Sequence, residues 1–221
     1  MNVHRQYTGF IAQLLSYLLC AAVLHASRYL IWLPLWGHSS AAITGFAAIA
    51  PVIATFTGTW FILSQYCLKL LVTNPSLESL LPMIARQLPS FIACKVFNAR
   101  AWWWQVVPCL VTLVVFNSYW FGTVAMVYSI LWLLPLALFF LGLNNMLARA
   151  LYASFNAHAV GTLVWLFTDS LTASQWCALT PIACMERLLI ASGILIAAVI
   201  ADYVVHKVQS MIRLSLRIGN A

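Results

Sequence analysis

Carboxylates are almost missing from this chain: Glu78, Asp169, Glu186 and Asp202 are all it has in 221 residues. Charged residues of either sign make up 7%, against roughly a quarter in soluble globular proteins. That is too little polar surface to coat a water-facing sphere. The six cysteines, Cys20, Cys67, Cys94, Cys109, Cys177 and Cys184, form no Cys-x-x-Cys pair, so a zinc site has no spacing support and a disulfide framework has little. Cys177 and Cys184 share the one sizeable external loop and could pair if it faces an oxidising compartment, with packing as two small hydrophobes the favoured expectation. G-x-S-x-G, H-E-x-x-H, phosphate-loop and dinucleotide patterns are all missing, and no metal or cofactor is expected. There is also no short, cleavable apolar leader. The first apolar run is too long for one and continues through Tyr29–Trp32, so it is expected to stay as an anchor.

What the chain has instead is hydrophobic length. Hydrophobic residues make up 64% of it, and they gather into six stretches: Gly9–Trp36, Ala41–Leu71, Ala101–Tyr119, Phe121–Leu143, Ala150–Phe167 and Leu188–Val205. Each is long enough to cross a hydrocarbon core of about 30 Å at 1.5 Å per residue. The expectation is an all-α, polytopic membrane helix bundle of six transmembrane helices forming a single domain over 1–221, in a bacterial inner membrane. With a cytoplasmic N-terminus, Arg5, Lys69, Arg86, Lys95, Arg100, Arg149, Lys207, Arg213 and Arg217 fall on the cytoplasmic side, as the positive-inside bias requires. Both termini are then cytoplasmic. The net charge of +7 orients the chain and meets lipid headgroups, and calls for no nucleic acid.

Local features refine the drawing. Gly45, Pro51 and Gly58 interrupt the second stretch, and such breaks are tolerated where protein or water covers the freed backbone groups. In the longest connection, Leu80, Leu81, Ile84, Leu88 and Phe91 share a face with Arg86 and Lys95 off it, which predicts an interfacial helical segment over 76–97. Trp102, Trp103 and Trp104 at one end of the third stretch, with Tyr119 and Trp120 at the other, fit the aromatic headgroup belt.

An ionisable side chain inside a membrane is paired, cavity-facing or functional. His25 and Arg28 lie three apart on one face of the first span. His158 lies midway along the fifth among small residues and shares a face with Trp165, seven positions on. Glu186 and Arg187 open the sixth span. If spans one, five and six are neighbours, these groups converge on the outer half of the bundle. Arg28 and Arg187 would hold a carboxylate or phosphate, Trp165 and Trp36 would stack on a ring, and His158 would hydrogen-bond the buried end. Each also has a structural reading: Arg28 snorkelling to headgroups, Arg187 neutralising Glu186 or Asp169, and His158 bonding a neighbouring helix. Asp202 and His206 form an i, i+4 pair at the cytoplasmic end of span six.

Two families are similar in part. "NMLARALYASFNAHAVG" resembles the Asn-x-x-Arg and later His of exosortase-like membrane transpeptidases, with Asn145, Arg149 and His158 in those places. Here the Asn-to-Arg spacing is one residue longer, and neither Cys94 nor Cys109 has the family's Cys-Ser-Gly setting. The size, six spans, basic cytoplasmic face and Ala22-x-x-x-Ala26 resemble the substrate-binding S components of energy-coupling-factor vitamin transporters. That resemblance implies no enzyme, but a protein that captures a small vitamin-like nutrient from outside. It also implies an outward pocket closed by the loops Trp36–Ser40 and Asp169–Glu186, and a coupling subunit with ATPases docked at Ala22 and Ala26. A transpeptidase or protease, and a small structural subunit of a larger complex, are the alternatives.

Overall fold

The computed structural model describes residues 3–29, 45–73, 75–85, 87–99, 101–120, 123–168 and 171–218. These residues are helical, with no strand among them. The helices are α1 (Val3–Ser27), α2 (Gly45–Thr57), α3 (Thr59–Thr73), α4 (Leu77–Ala85), α5 (Leu88–Asn98), α6 (Trp103–Tyr119), α7 (Thr123–Phe140), α8 (Met146–Thr168) and α9 (Ala173–Ile218). Two of them, α8 and the Ala173–Met211 part of α9, are long and apolar enough to cross a membrane, and the bent α2–α3 pair makes a third if it counts as one span. The apolar segments Gln13–Ser27, Trp103–Tyr119 and Met126–Phe140 are shorter. The described residues therefore support a membrane helix bundle with two or three full-length spans, fewer than the six expected.

The apolar core holds several buried polar side chains, and the outer surface is largely apolar. Gln105, Thr112, Ser129, Ser154, Asn156 and Thr162 are buried, while Leu15, Leu18, Leu19, Ile196, Val199 and Ile200 are exposed. Water would penalise that arrangement and lipid would not.

Side-chain contacts fix the helix directions. Arg149 on α8 donates to the Phe97 carbonyl on α5, while Gly161 lies against Pro89 at the other end of α5, so α5 and α8 are antiparallel. Asn156 meets Gln105 and Leu166 lines a cavity with Tyr119, so α6 runs with α8. Tyr128 meets His158 and the Tyr152 hydroxyl donates to the Leu143 carbonyl, so α7 runs against it. Ser154 meets Arg187 with Trp176 up beside Leu166, so α9 also runs against α8. The end holding Leu88, Tyr119 and Thr168 is called upper below, and the end holding Thr57, Asn98, Phe140 and Met146 lower.

Three elements depart from the sequence drawing. The second stretch is not one rod: α2 and α3 meet at 119° through Gly58, whose φ of 82° is a left-handed conformation that glycine adopts without a Cβ clash. Phe46 at the start of α2 meets Tyr66 of α3, and Tyr17 stacks on Phe61, so α3 turns back to run alongside α1. The 76–97 segment forms two helices, α4 and α5. Far from lying on the surface, α5 buries Ala93, Cys94, Val96 and Phe97 against α2 and α8. Finally, Asp169–Glu186 is not a loop closing a pocket, because α9 is already helical from Ala173. Cys177 and Cys184, both free, are seven positions apart on that helix, roughly 10 Å of rise and beyond disulfide reach.

Candidate functional site

The early start of α9 moves Glu186 and Arg187 from a span's edge to its interior. Arg187 lies fourteen positions into the helix, about 21 Å from its first residue at 1.5 Å each. It sits at the level of Ser154, whose hydroxyl donates to its backbone carbonyl at 2.7 Å. The Arg187 guanidinium pairs with the neighbouring Glu186 carboxylate at 2.5 Å, and the Arg187 side chain is only 13% exposed. Its Nε is buried and has no hydrogen-bond partner among the described residues.

Around this pair stands a polar and aromatic cluster. His158 Nε2 and the Tyr128 hydroxyl share a hydrogen bond of 3.2 Å. Thr162, one turn along α8, donates to the His158 carbonyl at 3.0 Å. Arg187 is close enough to couple electrostatically to both His158 and Tyr128. Tyr128 itself lies inside an aromatic box. Phe116 stacks on it at 5.2 Å, Trp132 meets it edge-on at 5.5 Å, and Trp176 does so at 4.9 Å. The indole Nε1 of Trp132 is buried and unpartnered too. These two donors have no acceptor among the described residues, and a buried donor left empty costs about 1–3 kcal/mol. An acceptor-bearing guest removes that cost.

Above the cluster, at the upper end, a cavity of about 470 Å³ is lined by Tyr119, Trp120, Leu166, Phe167, Thr168, Leu171 and Trp176. Trp176 belongs to both the cavity and the box. Trp120 Nε1 is a further buried donor without a partner.

The residues singled out from sequence divide into groups. His158, Glu186 and Arg187 come together. His25 and Arg28 line a separate cavity beside α3, and no contact among the described residues joins them to Arg187. Trp165 is 47% exposed and makes no ring contact within the described residues, and Trp36 lies outside them. Ala22 and Ala26 are exposed on the outer face of α1. Tyr128, Trp132 and Trp176 were missed. Tyr128 and Trp132 lie in the most uniformly apolar helix, where no polar face marks an inward side, and Trp176 lay in a presumed loop. The transpeptidase set is not assembled: Arg149 is held by the Phe97 carbonyl and ring, nine positions and about 13 Å of rise from His158. Cys94 lies in the α1–α3 cluster with Tyr66.

Comparison of the chain with protein-family models, with curated proteins and with solved structures finds no match to any of them.

Proposed function

We propose that this is a membrane uptake protein that binds a small anionic, ring-bearing nutrient between α6, α7, α8 and α9 and transfers it inward. The observation that carries this reading is Arg187, 13% exposed and midway along its helix, paired with one carboxylate, coupled electrostatically to His158 and Tyr128, and with a buried Nε that has no partner among the described residues. A guanidinium in a dry site gives a carboxylate or phosphate geometric as well as electrostatic recognition. Phe116, Trp132 and Trp176 supply faces and edges for a ring, and the upper cavity supplies the way in. In this reading the lower end, with Lys95, Arg149 and the continuation of α9, faces the cytoplasm.

The exposed α1 face with Ala22, Ala26, Leu15, Leu18 and Leu19 supports a helical partner, as an S component would need for its coupling subunit. The same face also suits the second reading, a small structural subunit of a larger complex.

The test is untargeted mass spectrometry of the small molecules that co-purify with the detergent-solubilised protein. One anionic, ring-bearing compound in near-stoichiometric amount is expected from the unaltered chain, and its loss from Arg187→Gln. The reading falls if no such compound appears, or if Arg187→Gln retains it in full. A fixed protein partner recovered in its place would favour the structural subunit.

A further inference from the structure

The reversal at Gly58 has a second effect. It brings Lys69 of α3 next to Arg28 of α1, two cations that the sequence drawing put at opposite membrane faces. Together with His25, Gln65 and Thr73 they line a cavity of about 230 Å³ whose remaining wall is Ala21, Leu24, Leu68 and Val72. At about 30 Å³ per water, that is room for a group of several heavy atoms. Every titratable side chain lining it is basic. The Arg28 guanidinium lies over the Phe46 ring at 5.0 Å, which fixes its position without neutralising it. Among the described side chains neither Arg28 nor Lys69 pairs with a carboxylate: Glu186 is with Arg187 and Asp202 with His206, while Glu78 and Asp169 lie outside that set.

Two close cations in a partly apolar surrounding repel each other unless an anion joins them. The apolar wall continues outward through Leu68 and Val72, which are 56% and 77% exposed, so the cavity opens onto the greasy flank of α3. We propose that this cavity is a phosphate-binding site, distinct from the Arg187 cluster, in which Arg28 and Lys69 hold the phosphate oxygens while the Gln65 amide adds a hydrogen bond. Arg28 is pre-positioned by Phe46 and acts as the fork, and Lys69 acts as a mobile point charge. The phosphate has two sources with the same chemistry: the headgroup of an anionic phospholipid, its chains along Leu68 and Val72, or a free phosphate.

Two probes separate them. Inorganic phosphate is titrated calorimetrically into lipid-depleted protein in detergent, and protein from nanodiscs of phosphatidylglycerol or of phosphatidylcholine is examined by native mass spectrometry for retained lipid. Retained phosphatidylglycerol without phosphate binding identifies the lipid, and saturable phosphate binding identifies the free anion. In either case Arg28→Gln and Lys69→Gln should each weaken binding about tenfold. Should the Gln variants not fold, Lys69→Arg and Arg28→Lys, which keep the charge, are expected to fold and bind. The proposal is overturned if the unaltered protein takes up neither probe, if the Gln variants bind as it does, or if the charge-keeping variants fold and do not bind.

Discussion

Pro108 and Asn156 form one device. A proline inside a helix has no N–H to donate and pushes the preceding turn away, so the backbone ladder opens around it. In α6 the missing N–H leaves the Trp104 carbonyl without its donor and loosens the next turn, where the Gln105 carbonyl and the Cys109 N–H both bond the same side chain. Asn156 Nδ2 donates to the Gln105 carbonyl at 2.9 Å, and its Oδ1 accepts from Cys109 at 3.2 Å. Asn156 is fully buried, so Asn156→Leu strands two backbone groups at about 1–3 kcal/mol each. Its melting temperature in detergent should fall sharply, and Pro108→Ala in the same chain, by restoring the ladder, should recover part of the loss. Equal melting of Asn156→Leu and the unaltered protein would mean that the ladder is closed some other way. "NAHAVG" drew attention in the sequence for its histidine, yet the asparagine two positions earlier is the more firmly bonded residue, and only its neighbour on another helix reveals why.

His158 itself separates binding from architecture. Its imidazole shares one hydrogen bond with Tyr128 and faces the Arg187 pair, so His158→Phe keeps the bulk and removes both ring nitrogens. His158→Phe is expected to fold, insert and lose the co-purifying compound, with His158→Gln intermediate. A His158→Phe protein that retains the compound at full occupancy makes the residue a packing element, and one that does not accumulate makes the Tyr128 bond structural. That His158 and Arg187 are embedded was legible from their apolar surroundings. That Arg187 is mid-helix was not, because hydropathy falls across Thr180, Pro181 and Glu186 and imitates a span's edge, whereas the backbone runs through it.

Elements were legible where apolar length alone decides, as in α6, α7 and α8, whose observed limits lie within a few residues of the expected stretches. They were not legible where one dihedral decides. Gly58 stood out as one of three interruptions of the second stretch, but only its positive φ shows that it turns α2 into α3. Gly58→Ala places a Cβ in open space but forces a left-handed backbone that costs about 1–2 kcal/mol. A melting temperature unchanged by Gly58→Ala would remove the argument for a fixed bend. Gly193 is the opposite case, ordinary in backbone and crowded in space. A Cβ there would lie 2.8 Å from the Ala48 Cβ, so α9 and α2 touch without a side chain between them. Gly193→Ala should therefore destabilise by about 1–3 kcal/mol through overpacking, and Ala48→Gly in the same chain should reverse it. Failure of that second change to rescue would place the strain elsewhere.

On the scale of the whole molecule, the bend changes which segment completes the count of crossings. If α2 and α3 formed one rod, Lys69 and Thr73 would lie at the lower end with Arg149. Instead Lys69 shares a cavity with Arg28, and the chain returns downward through α5, which ends where Asn98 donates to the Pro51 carbonyl. The parity is the same and α1 and α9 still start and finish at the lower end, so a cytoplasmic placement of both termini remains the expectation even though the path differs. The positive-inside pattern could not reveal this, because exchanging one crossing segment for another leaves most basic residues where they were. Single cysteines in a cysteine-free background decide between the paths. Thr73→Cys, exposed at the end of the returning α3, and Ser118→Cys, exposed at the upper end, should react with a membrane-impermeant maleimide added to intact cells. Asn144→Cys, exposed at the lower end, should react only after the membrane is opened. If Thr73→Cys follows Asn144→Cys, the α2–α3 pair is a single crossing and the Arg28–Lys69 cavity does not form in the membrane. If Ser118→Cys and Asn144→Cys exchange behaviour, the bundle is inverted and the Arg187 site opens to the cytoplasm.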